Sequence, residues 1–149
     1  MDEVVELTAI ARRYDRPVSI LRRVMRYRAT AVADWRSHAV LVLAVCAVES
    51  GGRPDVYTPA GGGVWSAGLM QVASQNWPSQ GLDWESAVDP MRNLRAGVAI
   101  LKADVQRFGE WDGLQAYNGG PGAIGSDPGY AAAVWAWVPV LRAALRSPG

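Results

Sequence analysis

The sequence of 149 residues contains few of the residues on which several common enzyme classes depend. With one cysteine it cannot form an internal disulfide, and with one histidine besides it has too few ligands for a zinc site. His38 is the only base for a Ser–His–Asp arrangement, and no Gly-x-Ser-x-Gly segment is present. The single lysine, Lys102, follows Leu101 and not a glycine, which excludes a Walker phosphate loop. We therefore expect neither a metal nor an organic cofactor, and the chemistry must use carboxyls, hydroxyls, amides and aromatic rings.

The chain also lacks a strong charge and a long hydrophobic segment. Its net charge is +1, so no overall field indicates a nucleic-acid partner. The longest apolar run, Ala39–Val48, is too short to span a bilayer and is typical of a buried helix. The first residues, Met1-Asp2-Glu3, are acidic where a secretory signal peptide would be basic. We expect no membrane span, no signal peptide and no nucleic-acid partner.

Helical periodicity and capping residues predict a mainly α fold with little or no β-sheet. Half of the residues are hydrophobic, which allows one domain with a substantial core. We expect a single domain over residues 1–149, in which a helical extension (1–35) packs on a core (36–149). A long loop follows Gly51 and continues to Ala67. The predicted helices run from about Asp2 to Tyr14, from Pro17 to about Tyr27, from an N-cap at Asp34 to Glu49, from an N-cap at Asp89 to Phe108, from an N-cap at Asp112 to Tyr117, and from Tyr130 to Arg146 with a kink at Pro139.

The basic residues are concentrated near the N-terminus. Seven arginines lie between Arg12 and Arg28, against one acid, Asp15. Such a cluster is most often the solvated face of amphipathic helices. The alternative is an attraction to an anionic polymer, either nucleic acid or cell-wall glycan.

Glu49 is the most informative single residue. It follows ten apolar residues at the C-terminal end of a predicted helix, and the chain has only five glutamates. An apolar surrounding and the negative end of a helix both disfavour a carboxylate. A carboxyl kept protonated near neutral pH is what a general acid requires. The structural alternative is a glutamate that bends to solvent at the helix end.

Two further segments contain polar side chains beside turns. Gly68-Leu69-Met70-Gln71 is a turn that leads into an apolar stretch, and its glutamine amide suits sugar hydroxyls and acetamides. Ala116-Tyr117-Asn118-Gly119-Gly120 brings a phenol to a tight turn. Taken alone, each segment is a weak signal. Leu69 and Met70 are typical core residues and Gln71 is a common surface residue, while Tyr117 could simply be a buried tyrosine before a turn.

Together these residues resemble a known family. The order Glu49-Ser50, Gly68-Leu69-Met70-Gln71, Asn93-Leu94-x-Ala96-Gly97 and Ala116-Tyr117-Asn118-Gly119-Gly120 is similar to that of the catalytic domain of soluble lytic transglycosylases. It also resembles the related goose-type lysozymes. The resemblance covers about Val40 to Ile124, and the N-terminal helices and the tail after Gly125 lie outside it. It implies a lysozyme-like fold with a groove for the β-1,4 glycan of peptidoglycan.

The resemblance also implies roles for individual residues. Glu49 corresponds to the single catalytic acid/base, and Tyr117 to the tyrosine that hydrogen-bonds it. Gln71, Met70 and Asn118 correspond to residues that line the nearby subsites. Ser50 corresponds to the serine that supports the glutamate's loop, and Ser66 lies one place before the position of a serine that contacts the substrate.

Three readings of the activity follow from this resemblance. A lytic transglycosylase would cleave between N-acetylmuramic acid and N-acetylglucosamine and form a 1,6-anhydro ring, with no second carboxyl. A lysozyme would hydrolyse the same bond, with Asp55 as the candidate to orient water. A glycan-binding or virion structural module would not cleave at all.

The remaining expectations concern tryptophans and location. Seven tryptophans are present, of which Trp35, Trp135 and Trp137 are predicted to be core. The other four lie near the motifs, where either packing or stacking on sugars is open: Trp65, Trp77, Trp84 and Trp111. A cell-wall substrate without a signal peptide leaves three accounts open: a bacteriophage lysis or virion-associated enzyme, a domain of a larger exported protein, or export by a dedicated route. We favour the bacteriophage enzyme, either a monomer or part of the phage particle, that reaches the periplasm or the cell exterior.

Overall fold

The computed structural model describes residues 2–146 and consists mainly of α-helices with one small sheet. This confirms the predicted fold class. Single-turn 3₁₀ segments join several of the helices. The helices are α1 (Glu3–Arg13), α2 (Val18–Met25), α3 (Arg28–Asp34), α4 (Ala39–Ser50), α5 (Trp77–Gln80), α6 (Pro90–Phe108), α7 (Glu110–Gly119) and α8 (Pro128–Arg146), and the strands are β1 (Tyr57–Gly61), β2 (Val64–Ala67) and β3 (Val72–Ala73).

Local capping explains several helix ends. The Asp2 carboxylate accepts a hydrogen bond from the Val4 amide at 2.7 Å, and the Asp89 carboxylate accepts one from the Arg92 amide at 3.0 Å. Pro90 occupies the first position of α6, where its missing N–H has no helical partner to lose. Gly51 ends α4 with a φ of 63°, a left-handed conformation that glycine adopts without strain.

Two predicted helix starts are wrong. Asp34 is the last residue of α3 and does not cap the core helix, which begins at Ala39 after a 3₁₀ turn over Arg36–His38. Asp112 lies inside the first turn of α7, which begins at Glu110 directly after Gly109. Each aspartate lies within a few residues of a helix N-terminus, but the helix begins at a different residue from the one predicted.

Helix α4 forms the centre of the core. All residues from Leu41 to Ala47 are buried, because the helix is apolar on every side. It packs against α8, α3 and α2, while α6 packs against α7. The N-terminal helices also contact this core, since α1 packs on α8 and α3 packs on both α4 and α6. The division into an extension (1–35) and a core (36–149) stays a prediction.

The segment after α4 contains a sheet that the sequence did not indicate. Strands β1, β2 and β3 are antiparallel in that order, with Thr58 opposite Ser66 and Ser66 opposite Ala73. All five residues of β1 are exposed, so the alternation of apolar and polar residues that indicates a strand is missing. The predicted long loop is therefore largely a β-hairpin.

Three arginines of the N-terminal cluster contact groups that are distant in the chain. Arg23 Nε donates to the Gly51 carbonyl at 2.8 Å, and Arg28 Nη2 donates to the Leu145 carbonyl at 2.7 Å. The Arg16 guanidinium lies 5.6 Å from the centre of the Trp137 ring. The other four arginines of the cluster are exposed, which agrees with the solvated face: Arg12, Arg13, Arg22 and Arg26.

Trp35 and Trp137 are buried, and Trp135 packs against the core, as predicted. Of the other tryptophans, Trp77 is buried, while Trp84 and Trp111 are exposed. Among residues 2–146, no helix combines the length and hydrophobicity that crossing a bilayer requires.

Candidate active site

Glu49 lies in the last turn of α4, where the core helix reaches the surface of the molecule. Its carboxyl opens into a cavity of about 80 Å³. Four other residues that the sequence singled out, Ser66, Gln71, Tyr117 and Asn118, line the same cavity. The remaining lining residues are Val72, Ala73, Asn76 and Ile100. Tertiary folding thus brings together most of the candidate site, and within this lining Glu49 is the one carboxyl.

The pKa of Glu49 is raised to about 7, chiefly because burial withholds water from the carboxylate. The negative charge of Asp127 raises it further, whereas a hydrogen bond from Tyr130 lowers it. Near neutral pH the side chain therefore exists in both protonated and ionised forms. Such a group can donate a proton in one step and accept one in the next.

The phenol that contacts Glu49 is not the predicted one. Tyr130, in α8, donates to Glu49 Oε2 at 3.0 Å. Tyr117 instead donates to the Met70 carbonyl at 2.6 Å. The expected hydrogen bond from Tyr117 to Glu49 is therefore wrong, although Tyr117 does line the cavity. Both phenols are buried, which raises the pKa of each well above its ordinary value and keeps it a hydrogen-bond donor.

The turn Gly68–Gln71 is fixed to α6 by Asn93. The Asn93 side chain is fully buried, and its Nδ2 donates to the carbonyls of Ala67 and Ala87, both at 2.7 Å. Its Oδ1 accepts from the Met70 amide at 2.9 Å. Gly68 has a φ of 79°, and a Cβ at this position would lie 2.3 Å from Asn93 Nδ2. The motif residue Asn93 therefore anchors the segment that carries Gln71.

Met70 belongs to the core and not to the substrate surface. Its side chain is fully buried, and a Cβ on Gly97 would lie 2.4 Å from its sulfur. The expected subsite role of the Met70 side chain is therefore wrong. The glycine at 97 lets α6 approach this side chain, and only the backbone carbonyl of Met70 serves the site, as acceptor for Tyr117.

Gln71 reaches the cavity with its backbone in the left-handed region, at a φ of 50°. Its Nε2 donates to the carbonyls of Val56 at 3.1 Å and Gly68 at 2.9 Å. These bonds hold the side chain in one orientation at the cavity wall. A non-glycine residue in this conformation is uncommon and is found most often where the surroundings impose it.

The two serines have different positions. Ser50 Oγ donates to the Leu69 carbonyl at 2.8 Å, which joins the end of α4 to the turn and confirms the supporting role expected for it. Ser66 lies in β2 and lines the cavity. Asp55, the candidate to orient water, is exposed and does not line the Glu49 cavity.

Asn118, which lines the cavity, forms a pair with Asp127. Asn118 Nδ2 donates to Asp127 Oδ2 at 2.5 Å. The buried Gln115 holds the loop between them and α8, because its Oε1 accepts from the amides of Gly125 at 2.9 Å and Asp127 at 3.1 Å. Neither Asp127 nor Tyr130 was predicted from the sequence to belong to the site, and both lie beyond the segment covered by the family resemblance. A polar residue three positions before a phenol, at the start of the last helix, is too weak a signal to find them.

A second cavity of about 490 Å³ continues from the first. The two share Ser66, Ala73, Asn76, Ile100, Tyr117 and Asn118. Both run between the β-hairpin and α7, and we call them together the cleft. No tryptophan lines these two cavities. Within the part of the chain that the structure describes, no group of three His, Cys, Asp or Glu side chains is placed to hold a metal ion.

Comparison with known proteins agrees with this fold. The model of the Transglycosylase SLT domain family matches residues 26–137. A transglycosylase of Enterobacteria phage PRD1 is 34% identical over 91 residues, which is 60% of this chain and 32% of the phage protein. The chain thus spans about a third of that relative's length.

Solved structures share the fold. The lytic transglycosylase Slt of Pseudomonas aeruginosa, solved as an inactive mutant, aligns with a TM-score of 0.69 and 21% identity over 84% of this chain and 25% of its own. The 70 kDa soluble lytic transglycosylase of Escherichia coli aligns with a TM-score of 0.59 and 22% identity over 79% of this chain and 22% of its own. The fold is therefore one that lytic transglycosylases contain. The chain belongs to the Transglycosylase SLT domain family of lytic transglycosylases.

The family match is wider than the resemblance found in the sequence. It begins at residue 26, within the predicted extension, and it ends at residue 137, so it includes Tyr130. Tyr130 and Asp127, which both act on the Glu49 carboxyl, thus lie inside the matched residues.

Proposed function

We propose that the domain cleaves the β-1,4 bond between N-acetylmuramic acid and N-acetylglucosamine in peptidoglycan, with Glu49 as its single acid/base. The observation that carries this proposal is the Glu49 carboxyl, which has a pKa of about 7 and faces the cleft. Amide side chains of Gln71, Asn76 and Asn118 line the same cavity, and such groups suit sugar hydroxyls and acetamides.

In the first step, protonated Glu49 donates its proton to the glycosidic oxygen, and the bond from that oxygen to C1 of the muramic acid breaks. The acetamido oxygen of the same sugar stabilises the positive charge at C1. Glu49, now ionised, accepts the proton of the C6 hydroxyl, whose oxygen attacks C1 and closes a 1,6-anhydro ring. One residue acts as acid and then as base, so the step consumes no water.

The absence of a second carboxyl from the lining of the Glu49 cavity supports this mechanism. Two-carboxyl glycosidases need one group as acid and another to activate water or attack C1. The acid whose charge raises the pKa of Glu49 is Asp127, and its carboxylate accepts a hydrogen bond from Asn118. The lytic transglycosylase of Pseudomonas aeruginosa that shares this fold was solved as an inactive glutamate-to-glutamine mutant.

The test is mass spectrometry of products released from purified peptidoglycan by the wild type and by Glu49→Gln. We expect muropeptides that end in 1,6-anhydro rings, one water lighter than hydrolysis products, and a loss of at least about 1,000-fold with the variant, since the acid is removed. Glu85→Gln, a change of the same kind at an exposed residue, is the matched control.

Other products would assign a different activity. Reducing ends in place of anhydro rings would indicate hydrolysis, with Asp127 as the first residue to examine for water activation. No cleavage of glycans from several bacteria would indicate a binding or virion structural module.

We also propose that the domain acts at the bacterial cell wall, where its substrate lies. The similarity to a phage transglycosylase supports a bacteriophage origin. Assembly as a monomer or within a phage particle stays a prediction, and its test is the sedimentation of the purified chain.

A further inference from the structure

The cleft holds a second carboxyl, Asp104, that the mechanism above does not use. Asp104 lies one turn after Ile100 on α6, and Ile100 lines both cavities of the cleft. The second cavity is lined by Asp104 but not by Glu49, and the first by Glu49 but not by Asp104. Asp104 is the one charged residue among the groups that line the second cavity. Each cavity thus has a single carboxyl in an otherwise uncharged wall.

The surroundings of Asp104 stabilise its negative charge only in part, through the charge of Arg107. Within residues 2–146, no hydrogen bond or ion pair joins its carboxylate to another side chain. The guanidinium of Arg107, about one turn after Asp104 on α6, lies 4.8 Å from the centre of the Phe108 ring. Asp104 also lies one turn from the C-terminal end of α6, where the helix dipole disfavours an anion.

Burial raises the pKa of Asp104, and the charge of Arg107 lowers it only in part. A half-buried carboxylate that accepts no hydrogen bond reduces the stability of the folded chain. Residues that reduce stability and face a cleft are found more often at binding sites than elsewhere. A cation bound in the cavity would supply the positive charge needed to balance the Asp104 carboxylate.

We propose that Asp104 binds a positively charged group of the substrate, an ammonium group of the peptidoglycan stem peptides. This proposal rests on the proposed function. The glycan strand itself offers no cation, because its amino sugars are acetylated, so the cation must come from the peptides attached to it. Hydroxyls and acetamides are matched by neutral amides such as Gln75 and Asn76 in the same cavity, whereas a lone carboxylate selects for charge. Asp104 would then position a peptide-bearing strand along the cleft.

The test compares one peptidoglycan preparation before and after its free amines are acetylated with acetic anhydride. Acetylation removes the positive charge and leaves the peptide in place. Initial rates are measured below saturation for the wild type, Asp104→Asn and Asp112→Asn. Asp112→Asn makes the same change in α7, at a residue that lines neither cavity.

We expect acetylation to reduce the wild-type rate about fivefold, the range of a partly screened charge pair. Asp104→Asn should show the same reduction on untreated peptidoglycan and almost no further change on acetylated material. Asp104→Glu should recover part of the rate on untreated peptidoglycan. Since the variant loses an unpaired charge, Asp104→Asn should melt at or above the wild-type temperature, which separates lost recognition from lost folding.

Two results would overturn the role assigned to Asp104 without contradicting the proposed function. One is a wild type that cleaves both preparations at the same rate; the other is a variant whose rate falls equally on both. The latter would mean that Asp104 contacts an uncharged part of the substrate or supports the cleft. A wild type that cleaves neither preparation would instead contradict the proposed function itself, and with it this proposal.

Discussion

At the scale of single residues, the pKa of Glu49 depends on three influences that act in different directions. Burial among the core residues around α4 and the charge of Asp127 favour the protonated form, while the Tyr130 hydroxyl favours the ionised form. The pKa of about 7 is the balance between them. Because protonated Glu49 starts the reaction, the rate should fall as pH rises through about 7.

Tyr130→Phe tests this balance. Loss of the 3.0 Å hydrogen bond removes an interaction that favours the carboxylate, so the Glu49 pKa should rise. The alkaline limb of the pH–rate profile should move to higher pH, and the maximal rate should fall about tenfold because the carboxyl is less well oriented. The measurement is the initial rate of peptidoglycan cleavage between pH 5 and 9.

Tyr117→Phe is the matched control for this experiment. It removes a phenol that lines the same cavity but donates to the Met70 carbonyl and not to Glu49. We expect a loss of about 1 kcal/mol in the free energy of unfolding and no displacement of the alkaline limb. Equal displacements in both variants would show that the Tyr130 contact does not set the Glu49 pKa.

At the scale of elements, the site depends on a contact between a turn and a helix. The buried Asn93 side chain joins three backbone groups, the amide of Met70 and the carbonyls of Ala67 and Ala87. None of these groups has water nearby to replace a lost partner, since Asn93 is fully buried. The interaction fixes β2, the turn after it and the start of α6 relative to one another.

Asn93→Ala should therefore destabilise the fold strongly. Three backbone groups would lose a partner in the core, at a cost of about 3 kcal/mol or more, and the melting temperature should fall by about 10 °C. Urea unfolding monitored by circular dichroism measures the change. Arg95→Ala, at an exposed position on the same helix, should change stability by about 0.5 kcal/mol or less. A loss below about 1 kcal/mol for Asn93→Ala would contradict the anchoring role.

At the scale of the whole molecule, the N-terminal helices support the end of α4, which carries Glu49. Arg23 in α2 donates to the Gly51 carbonyl, two residues after Glu49. A Cβ at Gly52 would lie 2.7 Å from the Arg23 Cβ, so the two segments are in close contact. A cation at this point also balances the negative end of α4.

Arg23→Met keeps most of the side-chain length and removes the hydrogen bond and the charge. We expect a loss of about 1 to 2 kcal/mol in unfolding free energy and a reduced rate of cleavage, because the turn after Glu49 is less well held. Arg22→Met removes the same charge from an exposed position beside it and should change neither quantity measurably. If the two variants behave alike, the N-terminal helices do not position the site.

The sequence by itself determined where most of the helices lie and that Glu49 is the candidate acid. Capping and periodicity involve residues within a few positions of each other, so Asp89, Pro90 and Gly109 could be read as the ends of α6. The same local logic identified Glu49 as a carboxyl at the end of an apolar helix. The resemblance to the family then indicated further site residues, of which Ser66, Gln71, Tyr117 and Asn118 line the Glu49 cavity.

Only the tertiary structure decided which of these residues touch. Tyr130 is 81 positions from Glu49, and Tyr117 is 47 positions from Met70, so the choice between the two phenols depends on how α7 and α8 pack. Met70 is buried because Gly97 allows α6 to approach it, which no local pattern indicates. The exposed strand β1 forms by pairing with β2, and its own residues carry no alternation. Partners distant in the chain are selected by packing, and packing is a property of the whole fold.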